Sequence, residues 1–287
     1  MEFPGKKIAA ALEAALKKEV KKSKKKIKLT AILVGDAKDQ LSFVRIKAQT
    51  AKRLGIGFEL VNLKKIPTFE NFMHILKEKS QDPDTAGIII QQPLPAQLLT
   101  SSLYDYLPLL KEVEGHKNKT SFMPPLGLAI LTVFKYLYGS GKINKDLLID
   151  INRDRNFFKK TLKNKKIILI GRGPTGGEPI GHTLNEMKIN YISTNSQTPD
   201  AAAYYIEGDV IITAVGKKVL EPVMLKPGVV LMNVGMHHEG DRLKGDYDEK
   251  EIKNIASFYT PTPGGVGPID VLYLYKNLID AAKMQKK

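Results

Sequence analysis

Apolar positions in the first half of the chain follow two alternating spacings. Residues 6–22 carry apolar side chains three or four positions apart, which predicts an amphipathic helix, whereas residues 28–34 have the mostly apolar sequence of a buried strand. Helices are predicted in the same way over 40–54 and 68–79, and strands over 57–63 and 87–91. Strands separated by single helices indicate βαβ units and a mainly parallel sheet.

The second half begins a new α/β series. After a predicted helix over 126–137, a basic stretch from Gly139 to Lys165 has no clear periodicity and is interpreted as a hinge. Further strands are predicted over 166–170, 190–194, 209–214 and 229–234, and a helix after Pro268. Ligands on parallel sheets bind beyond the carboxyl ends of strands, so in the first half the chemistry is expected within 35–47 and 91–95.

The composition excludes several classes of protein. The 287 residues suffice for two domains, and with 43% hydrophobic and 26% charged residues they are typical of a globular protein. Since no apolar run approaches the ~20 residues of a membrane span, no membrane association is predicted. The first residues lack a basic segment followed by an apolar one, so a cytoplasmic location is predicted. The chain has no cysteine, and its five histidines lack zinc-helix spacing, so no metal is predicted.

A net charge of +15 raises the question of a nucleic-acid partner. Much of this charge lies in residues 17–28, a lysine-rich run that follows a helical pattern. A nucleic-acid patch would interleave aromatic residues for base stacking, and this run has none. We therefore favour a solvated helix face and predict no nucleic-acid partner, although the positive field would attract anionic small molecules.

A glycine-rich turn follows the strand predicted at 166–170. Residues 171–176 read Gly-Arg-Gly-Pro-Thr-Gly, which fits the G-x-G-x-x-G pattern between a strand and a helix. Gly171 would permit the tight turn, Gly173 the close approach of a pyrophosphate, and Gly176 close packing of helix on strand. This context predicts a dinucleotide site at a helix N-terminus rather than a structural turn.

The residues after the next strand indicate which dinucleotide binds. NAD sites place a carboxylate there for the ribose 2′-hydroxyl, but residues 193–196 read Ser-Thr-Asn-Ser and the first carboxylate is Asp200. A pocket without a carboxylate, with Arg172 and Ser196 nearby, suits the 2′-phosphate of NADP. The predicted cofactor is therefore NADP.

A second unusual loop precedes the last predicted helix. Residues 260–268 contain three glycines and three prolines. Prolines hold the backbone extended, and glycines admit positive φ and the close approach of another molecule. The alternative is a turn that merely reverses the chain, but this composition favours a rigid wall for a flat ligand or an anion.

These loops closely resemble those of the methylenetetrahydrofolate dehydrogenase/methenyltetrahydrofolate cyclohydrolase family. The resemblance is carried by Pro263-Gly-Gly-Val-Gly-Pro268, by Gly171–Pro179 and by four shorter segments in the family's order: Asn195–Thr198, Ala214–Gly216, Asn233–Gly235 and Gly245-Asp246. It implies that Pro263, Gly264 and Gly265 bind the folate substrate. It implies also that Gly216 binds the cofactor with Gly171, Arg172, Gly173, Gly176 and Ser196.

The first half resembles the family with alterations. The Ser, Tyr and Lys that relatives carry on one helix become Gln40, Phe43 and Lys47 here, and the pterin-binding Asp becomes Glu114. The resemblance implies that Lys47 and Gln91 are catalytic and that Phe43 and Glu114 bind substrate. Phe43 keeps a flat ring for stacking but lacks the hydroxyl that contacts the lysine in relatives. Taken alone, Phe43 would be interpreted as a core aromatic and Lys47 as a surface lysine.

The resemblance implies two α/β domains: a folate-binding catalytic domain over 1–138 plus 266–287 and a Rossmann-type NADP-binding domain over 139–265. The expected reaction is NADP-dependent oxidation of 5,10-methylenetetrahydrofolate, followed by hydrolysis to 10-formyltetrahydrofolate. A monofunctional dehydrogenase with weak or absent cyclohydrolase and a catalytically silent nucleotide-binding paralogue remain alternatives. Relatives imply a homodimer.

Overall fold

The computed structural model describes residues 1–23, 26–100, 102–117 and 119–285. The chain divides into two compact units: a large unit, Met1–Leu12 with Leu126–Asp270, and a small unit, Glu13–Pro125 with Val271–Lys287. The strands are β1 (Lys28–Val34), β2 (Gly57–Leu63), β3 (Thr85–Ile90), β4 (Ile167–Ile170), β5 (Ile192–Thr194), β6 (Val210–Thr213), β7 (Val230–Asn233), β8 (His237–Glu239), β9 (Arg242–Lys244) and β10 (Phe258–Tyr259). The helices are α1 (Gly5–Lys22), α2 (Lys38–Leu54), α3 (Phe69–Gln81), α4 (Pro125–Tyr138), α5 (Ile151–Leu162), α6 (Gly177–Glu186), α7 (Ala201–Glu207), α8 (Glu249–Ile252) and α9 (Gly267–Met284).

The small unit is built on a parallel three-stranded sheet in the order β2-β1-β3. The central strand β1 is apolar after Lys28 except for Thr30 and is almost wholly buried, as expected of a strand covered on both faces. The edge strand β2 is only partly buried. Strands β1 and β2 have the predicted bounds, and Thr68 caps α3 by accepting the Asn71 N–H.

The segment after β3 returns to lie beside that strand. The Ile88 N–H donates to the Lys111 carbonyl at 2.8 Å, and Ile88 forms a parallel bridge with Glu112. Helix α9 is anchored in the same unit, because Asn277 Nδ2 donates to the carbonyls of Val113 and Met123, each at 2.9 Å. These contacts fix residues 111–115 next to the carboxyl end of β3.

The large unit holds a parallel five-stranded sheet in the order β10-β7-β6-β4-β5. Its central strands β4, β6 and β7 are buried throughout, which matches their apolar sequences. The chain order across the sheet changes direction beside β4, so the carboxyl end of β4 is a topological switch point, where ligands bind in such sheets. An antiparallel hairpin, β8–β9, follows β7.

Helix α5 corrects one prediction. Residues 139–165 were expected to be irregular, but Ile151–Leu162 is helical and is capped by Asp150, which accepts the Arg153 N–H at 3.0 Å. Its buried positions are Asp154, Phe158 and Leu162, spaced four apart. A buried aspartate on the inner face and several basic residues hide this periodicity from a simple apolar pattern. Asp154 is accommodated there because Lys135 Nζ donates to it at 2.6 Å.

The division into units differs from the predicted domains at α4. The prediction placed residues 1–138 in the folate-binding domain, whereas 1–12 and 126–138 belong to the large unit. The reason is close packing: a Cβ on Gly127 of α4 would lie 1.8 Å from Thr183 Oγ1 of α6. The predicted assignment of functions to the two domains stays a prediction.

Candidate active site

Lys47 and Gln91 meet at the carboxyl end of the small unit's sheet. Lys47 projects from α2, and its Nζ donates to Gln91 Oε1 at 3.0 Å. The other end of that amide, Nε2, donates to the Gln92 carbonyl at 2.8 Å. This second bond fixes the amide orientation and turns its oxygen toward the ammonium group. The Tyr275 hydroxyl of α9 donates to the Lys47 carbonyl at 2.6 Å and holds the helix backbone.

Glu114 joins this pair. Its Oε1 lies 3.7 Å from Lys47 Nζ, and both side chains are mostly buried. Glu114 is positioned by Glu112, a fully buried carboxylate that accepts the backbone N–H groups of Glu114, Gly115 and His116 at 2.8–3.1 Å. Three N–H donors stabilise a buried carboxylate and hold the turn rigidly. Sequence reasoning missed Glu112, although an acidic residue just before a glycine turn is a signal for such capping.

Phe43 and Gln40 lie one and two turns before Lys47 on α2. The Phe43 side chain is 40% exposed, so it is not the core aromatic that its residue type alone suggests. An exposed flat ring four residues from the lysine is available for stacking. Gln40 is buried, and its Nε2 donates to the Pro93 carbonyl at 2.5 Å. Gln40 therefore ties the start of α2 to the loop after β3.

A polar cluster that the sequence did not reveal lies beside these residues. Gln92 Nε2 donates to the Tyr104 hydroxyl at 3.0 Å, and the Tyr104 ring stacks on His116 with 4.3 Å between centroids. Burial, together with the nearby charge of Glu114, raises the pKa of Tyr104, so its phenol stays protonated. No sequence pattern brings residues 92, 104 and 116 together; the fold of the loop does.

The glycine-rich turn lies at the carboxyl end of β4 in the large unit. Gly171 has φ of +108°, and a Cβ there would lie 2.4 Å from the Ala214 carbonyl oxygen, so this tight turn requires glycine. A Cβ on Gly173 would meet no atom within 4 Å, which leaves room for a ligand. The tightest helix packing falls at Gly177, where a Cβ would lie 1.9 Å from the Gly171 oxygen, while Gly176 faces Ala214 at 3.1 Å. The role predicted for Gly176 thus falls mainly to its neighbour.

Arg172 closes one side of a cleft of about 370 Å³ beside this turn. Its Nε and Nη2 donate to Ser193 Oγ and to the Ser193 carbonyl at 3.1 and 2.7 Å. The guanidinium group is therefore held at the end of β5, where a carboxylate would bind the ribose of NAD. Ser196 is exposed two residues beyond β5. The cleft is also lined by Glu178, His182, Asn185 and Tyr191.

The remaining predicted residues lie in two loops of the large unit. Gly216, with φ of +84°, follows β6, and its N–H donates to Asp246 at 2.9 Å. Pro263 is exposed, Gly264 has φ of +100°, and Gly265 is buried so tightly that a Cβ would lie 2.5 Å from the Pro261 oxygen. The loop over 260–268 is thus shaped by close backbone contacts, as its composition predicts.

The described part of the chain offers neither a cluster of metal ligands nor a helix that could span a membrane. Among residues 1–23, 26–100, 102–117 and 119–285, no group of three or more His, Asp or Glu side chains is arranged to hold a metal ion. Within the same ranges, no helix is long and apolar enough to cross a membrane.

A glycine turn at the switch point of a parallel sheet is typical of a dinucleotide-binding domain. The cluster of Lys47, Gln91 and Glu114 lies at the end of the other sheet, so the chain has the two sites of a two-domain dehydrogenase. Two family models match the chain. Residues 3–114 match the catalytic domain of tetrahydrofolate dehydrogenase/cyclohydrolase, and residues 155–286 match the NAD(P)-binding domain of the same family. The chain belongs to the tetrahydrofolate dehydrogenase/cyclohydrolase family, which confirms the family and the two-domain α/β fold expected from the sequence.

Relatives match the chain over nearly its full length. The bifunctional protein FolD of Staphylococcus aureus is 30% identical over 296 residues, which cover 98% of this chain and 96% of that protein. The crystal structure of the bifunctional FolD methylenetetrahydrofolate dehydrogenase/cyclohydrolase from Campylobacter jejuni is similar, with a TM-score of 0.84, 25% identity and 99% of both chains covered. A 5,10-methylenetetrahydrofolate dehydrogenase from the silkworm, Bombyx mori, has a TM-score of 0.80 and 26% identity, with 99% of this chain and 98% of that one covered.

Proposed function

We propose that the protein oxidises 5,10-methylenetetrahydrofolate to the 5,10-methenyl compound with NADP and hydrolyses that product to 10-formyltetrahydrofolate. The observation that carries the proposal is the Lys47–Gln91–Glu114 cluster, in a chain of this family that also holds a dinucleotide turn. Two reactions of one folate need a cofactor site and a proton carrier, and the chain has candidates for both.

The residues around the glycine turn fit a dinucleotide. The open space at Gly173 and the crowding at Gly171 and Gly177 form a cradle that side chains would fill. Bound at this turn, NADP would supply the acceptor for a hydride from the methylene carbon of the substrate. Arg172, held by Ser193, supplies the positive charge that a 2′-phosphate requires, which supports NADP over NAD.

Oxidation asks the protein mainly for alignment, because the resulting cation is stabilised by its own two nitrogens. Phe43 would stack on the flat folate, and Glu114 would accept hydrogen bonds from the pterin. The loop of Pro263, Gly264 and Gly265 would supply a rigid, side-chain-free wall. These residues bind and orient, so their loss should affect both reactions.

Hydrolysis asks for proton movement as well. Water adds to the methenyl carbon, the bond from that carbon to one ring nitrogen breaks, that nitrogen gains a proton, and one proton is released. Lys47 is placed to carry protons between these atoms at Nζ. Gln91 holds Nζ through its oriented oxygen, and Glu114 balances the ammonium charge.

A monofunctional dehydrogenase is the second candidate, and one observation favours it. Residue 43 is a phenylalanine, so this position of α2 offers no hydroxyl to the lysine one turn later. We therefore expect cyclohydrolase to be the weaker activity.

Two assays test the proposal. The purified protein is mixed with 5,10-methylenetetrahydrofolate and NADP, and formation of NADPH is followed. Decay of methenyl absorbance is then followed without cofactor. Oxidation with hydrolysis supports the bifunctional assignment, oxidation alone supports the dehydrogenase, and neither reaction would leave a silent nucleotide-binding paralogue.

We further infer from the family resemblance that the protein is a cytoplasmic homodimer without a nucleic-acid partner, and that its 10-formyl product serves purine biosynthesis. The lysine-rich face of α1 lacks aromatic residues for base stacking. Light scattering after gel filtration tests the dimer, since a monomeric mass at assay concentration would contradict it.

A further inference from the structure

Two buried polar side chains in the large unit contact the loops that follow three neighbouring strands. Asn233, at the end of β7, is 3% exposed, and Asp246, after the β8–β9 hairpin, is fully buried. The proposed reaction assigns neither residue a contact with cofactor or substrate, yet both make an unusually complete set of hydrogen bonds. Buried polar groups are costly unless paired, so such a set calls for an explanation.

Asp246 holds the loop after β6. Its two carboxylate oxygens accept the N–H groups of Val215 and Gly216 at 2.8 and 2.9 Å. Burial raises the pKa of Asp246, while these backbone donors act in the opposite direction. The segment around Gly235 is packed directly against this carboxylate, since a Cβ on Gly235 would lie 2.2 Å from its oxygens.

Asn233 connects Asp246 to the proline- and glycine-rich loop. Its Oδ1 accepts the backbone N–H of Asp246 at 2.8 Å and the Thr213 hydroxyl at 2.9 Å. Its Nδ2 donates to the Gly235 carbonyl at 2.8 Å and to Thr262 Oγ1 at 2.6 Å. All four hydrogen-bonding positions of the amide are therefore used.

The proline- and glycine-rich loop has further ties to the same region. The Asn233 N–H donates to Thr260 Oγ1 at 2.7 Å, and the Tyr247 hydroxyl donates to the Thr260 carbonyl at 2.7 Å. The Thr262 N–H donates to Glu249 Oε1 at 2.6 Å. The residues that hold this loop thus come from β7 and from the short segment 246–249.

We propose that Asn233 and Asp246 are positioning residues that fix the cofactor loop at Val215–Gly216 and the substrate loop at Thr260–Gly265 against each other. The inference rests on the proposed function, which assigns Gly216 to the cofactor and residues 263–265 to the folate. Hydride transfer depends on the relative placement of two ligands, and a shift of about 1 Å can cost roughly a hundredfold in rate.

The two reactions separate positioning from general stability. Oxidation needs both loops, whereas hydrolysis uses no cofactor. Asp246→Asn replaces one acceptor oxygen by an amide that cannot accept the opposing N–H. We expect a KM for NADP at least roughly tenfold higher and slower oxidation, because a hydrogen bond to a charged group is lost, with a much smaller effect on hydrolysis.

Thr262→Val acts on the other loop, since it removes the hydroxyl that accepts from Asn233. We expect it to raise the KM for the folate in both reactions, and Thr262→Ser, which keeps the hydroxyl, to restore that KM. The matched control is Asp209→Asn, the same chemical change at the opposite end of β6, where Asp209 accepts from Lys226 Nζ at 2.6 Å. Asp209→Asn should change the rates of oxidation and hydrolysis by the same factor.

Amide hydrogen exchange tests the same idea without activity. Asp246→Asn should speed exchange at Val215 and Gly216, and Thr262→Val should speed exchange over 260–265, with strand β6 unchanged. Parallel loss of both reactions in Asp246→Asn, as in a merely destabilised protein, or unchanged exchange in these loops would overturn the positioning role. Absence of both reactions in the unmodified protein would instead refute the proposed function and leave the exchange result to decide the structural claim.

Discussion

The Nζ atom of Lys47 lies 3.0 Å from Oε1 of Gln91, and the bond from Gln91 Nε2 to the Gln92 carbonyl leaves the amide one orientation. The lysine is thereby held by a neutral acceptor, and Oε1 of the Glu114 carboxylate lies 3.7 Å from the same Nζ. A flexible side chain fixed in this manner suits proton transfer to a bound ligand, because the ordering cost has been met before the ligand arrives.

Lys47→Met should abolish methenyl hydrolysis and leave some NADP-dependent oxidation, because hydride transfer needs alignment but no protein proton carrier. The rates of oxidation and hydrolysis are measured for the variant, and circular dichroism checks that it is folded. Lys52→Met, on an exposed turn of the same helix, serves as the control. Equal losses of both activities would mean that Lys47 binds substrate or stabilises the unit.

Phe43→Tyr should raise the rate of hydrolysis and change oxidation little. The new hydroxyl would lie four residues before Lys47 on one helix face, and a hydrogen bond to a charged group is worth about 1.5–3 kcal/mol, or roughly ten- to a hundredfold in rate. Phe43→Leu removes the flat ring and should weaken both reactions. A tyrosine variant with unchanged hydrolysis would show that the missing hydroxyl does not limit the reaction.

Arg172→Ala should reduce the preference for NADP over NAD. Loss of the guanidinium removes the charge that Ser193 holds at the end of β5, so the affinity for NADP should fall while that for NAD stays nearly constant. Calorimetric titration with both dinucleotides measures the two constants. Tighter binding of NAD by the unmodified protein would refute the NADP assignment.

Glu112→Ala should lower the free energy of unfolding by at least about 1–3 kcal/mol, because three backbone N–H groups of the 114–116 turn lose their acceptor. Urea unfolding gives this value, with Glu78→Ala on the exposed face of α3 as the control. The turn carries Glu114, so the KM for the folate should rise as well. A variant as stable as the parent protein would show that the hydrogen bonds to Glu112 contribute nothing measurable to the free energy of unfolding.

Acid should weaken the small unit through Asp82. Hydrogen bonds lower the pKa of this carboxyl from 3.8 to about 2, the one from Lys28 most and those from the Asp84 N–H and the Thr85 hydroxyl less. A carboxyl with a depressed pKa in the folded state contributes stability above its unfolded pKa, and this contribution is lost as the pH falls toward about 2. Urea unfolding between pH 5 and pH 2 measures the free energy of unfolding at each pH. This free energy should decline less steeply for Asp82→Asn than for the control variant Asp84→Asn. Identical slopes would mean that the pair contributes nothing to acid stability.

The sequence predicted the parts of the fold that are written in local patterns. Strands β1 and β2 were found at their predicted bounds because each seven-residue run is bounded by a glycine and a lysine. Helix α5 was missed because its inner face includes a buried aspartate, whose compensation by Lys135 depends on tertiary contact. Periodicity detects apolar faces, and it fails where a buried charge is paired across elements.

The candidate site likewise contains some residues that the sequence could indicate and others that it could not. Gln91 and the glycine turn each follow a strand of their own unit's sheet, and Lys47 lies on the helix after β1, so the strand-end rule for parallel sheets could indicate each of them. Gln92 and Tyr104 act through a contact between loop segments that no spacing encodes. Glu112 instead caps the turn directly after it, a local signal that the sequence reasoning did not use. Asn233 and Asp246 belong to segments that resemble the family, but their hydrogen bonds join residues far apart in sequence. Only the fold, which places the ends of β6, β7 and β10 side by side, shows these bonds.

The bond from Tyr275 to the Lys47 carbonyl has a consequence for biosynthesis. A nascent chain leaves the ribosome amino end first, so α2 emerges long before α9. Asn277 of α9 also donates to the carbonyls of Val113 and Met123, and Gln285, just after α9, donates to those of Ala86 and Leu110. Until residues 271–285 have left the exit tunnel, the lysine helix and the loop of Glu114 lack these partners. The proposed catalytic centre therefore matures only after residues 271–285 have emerged, whereas the strands of the same unit can form earlier.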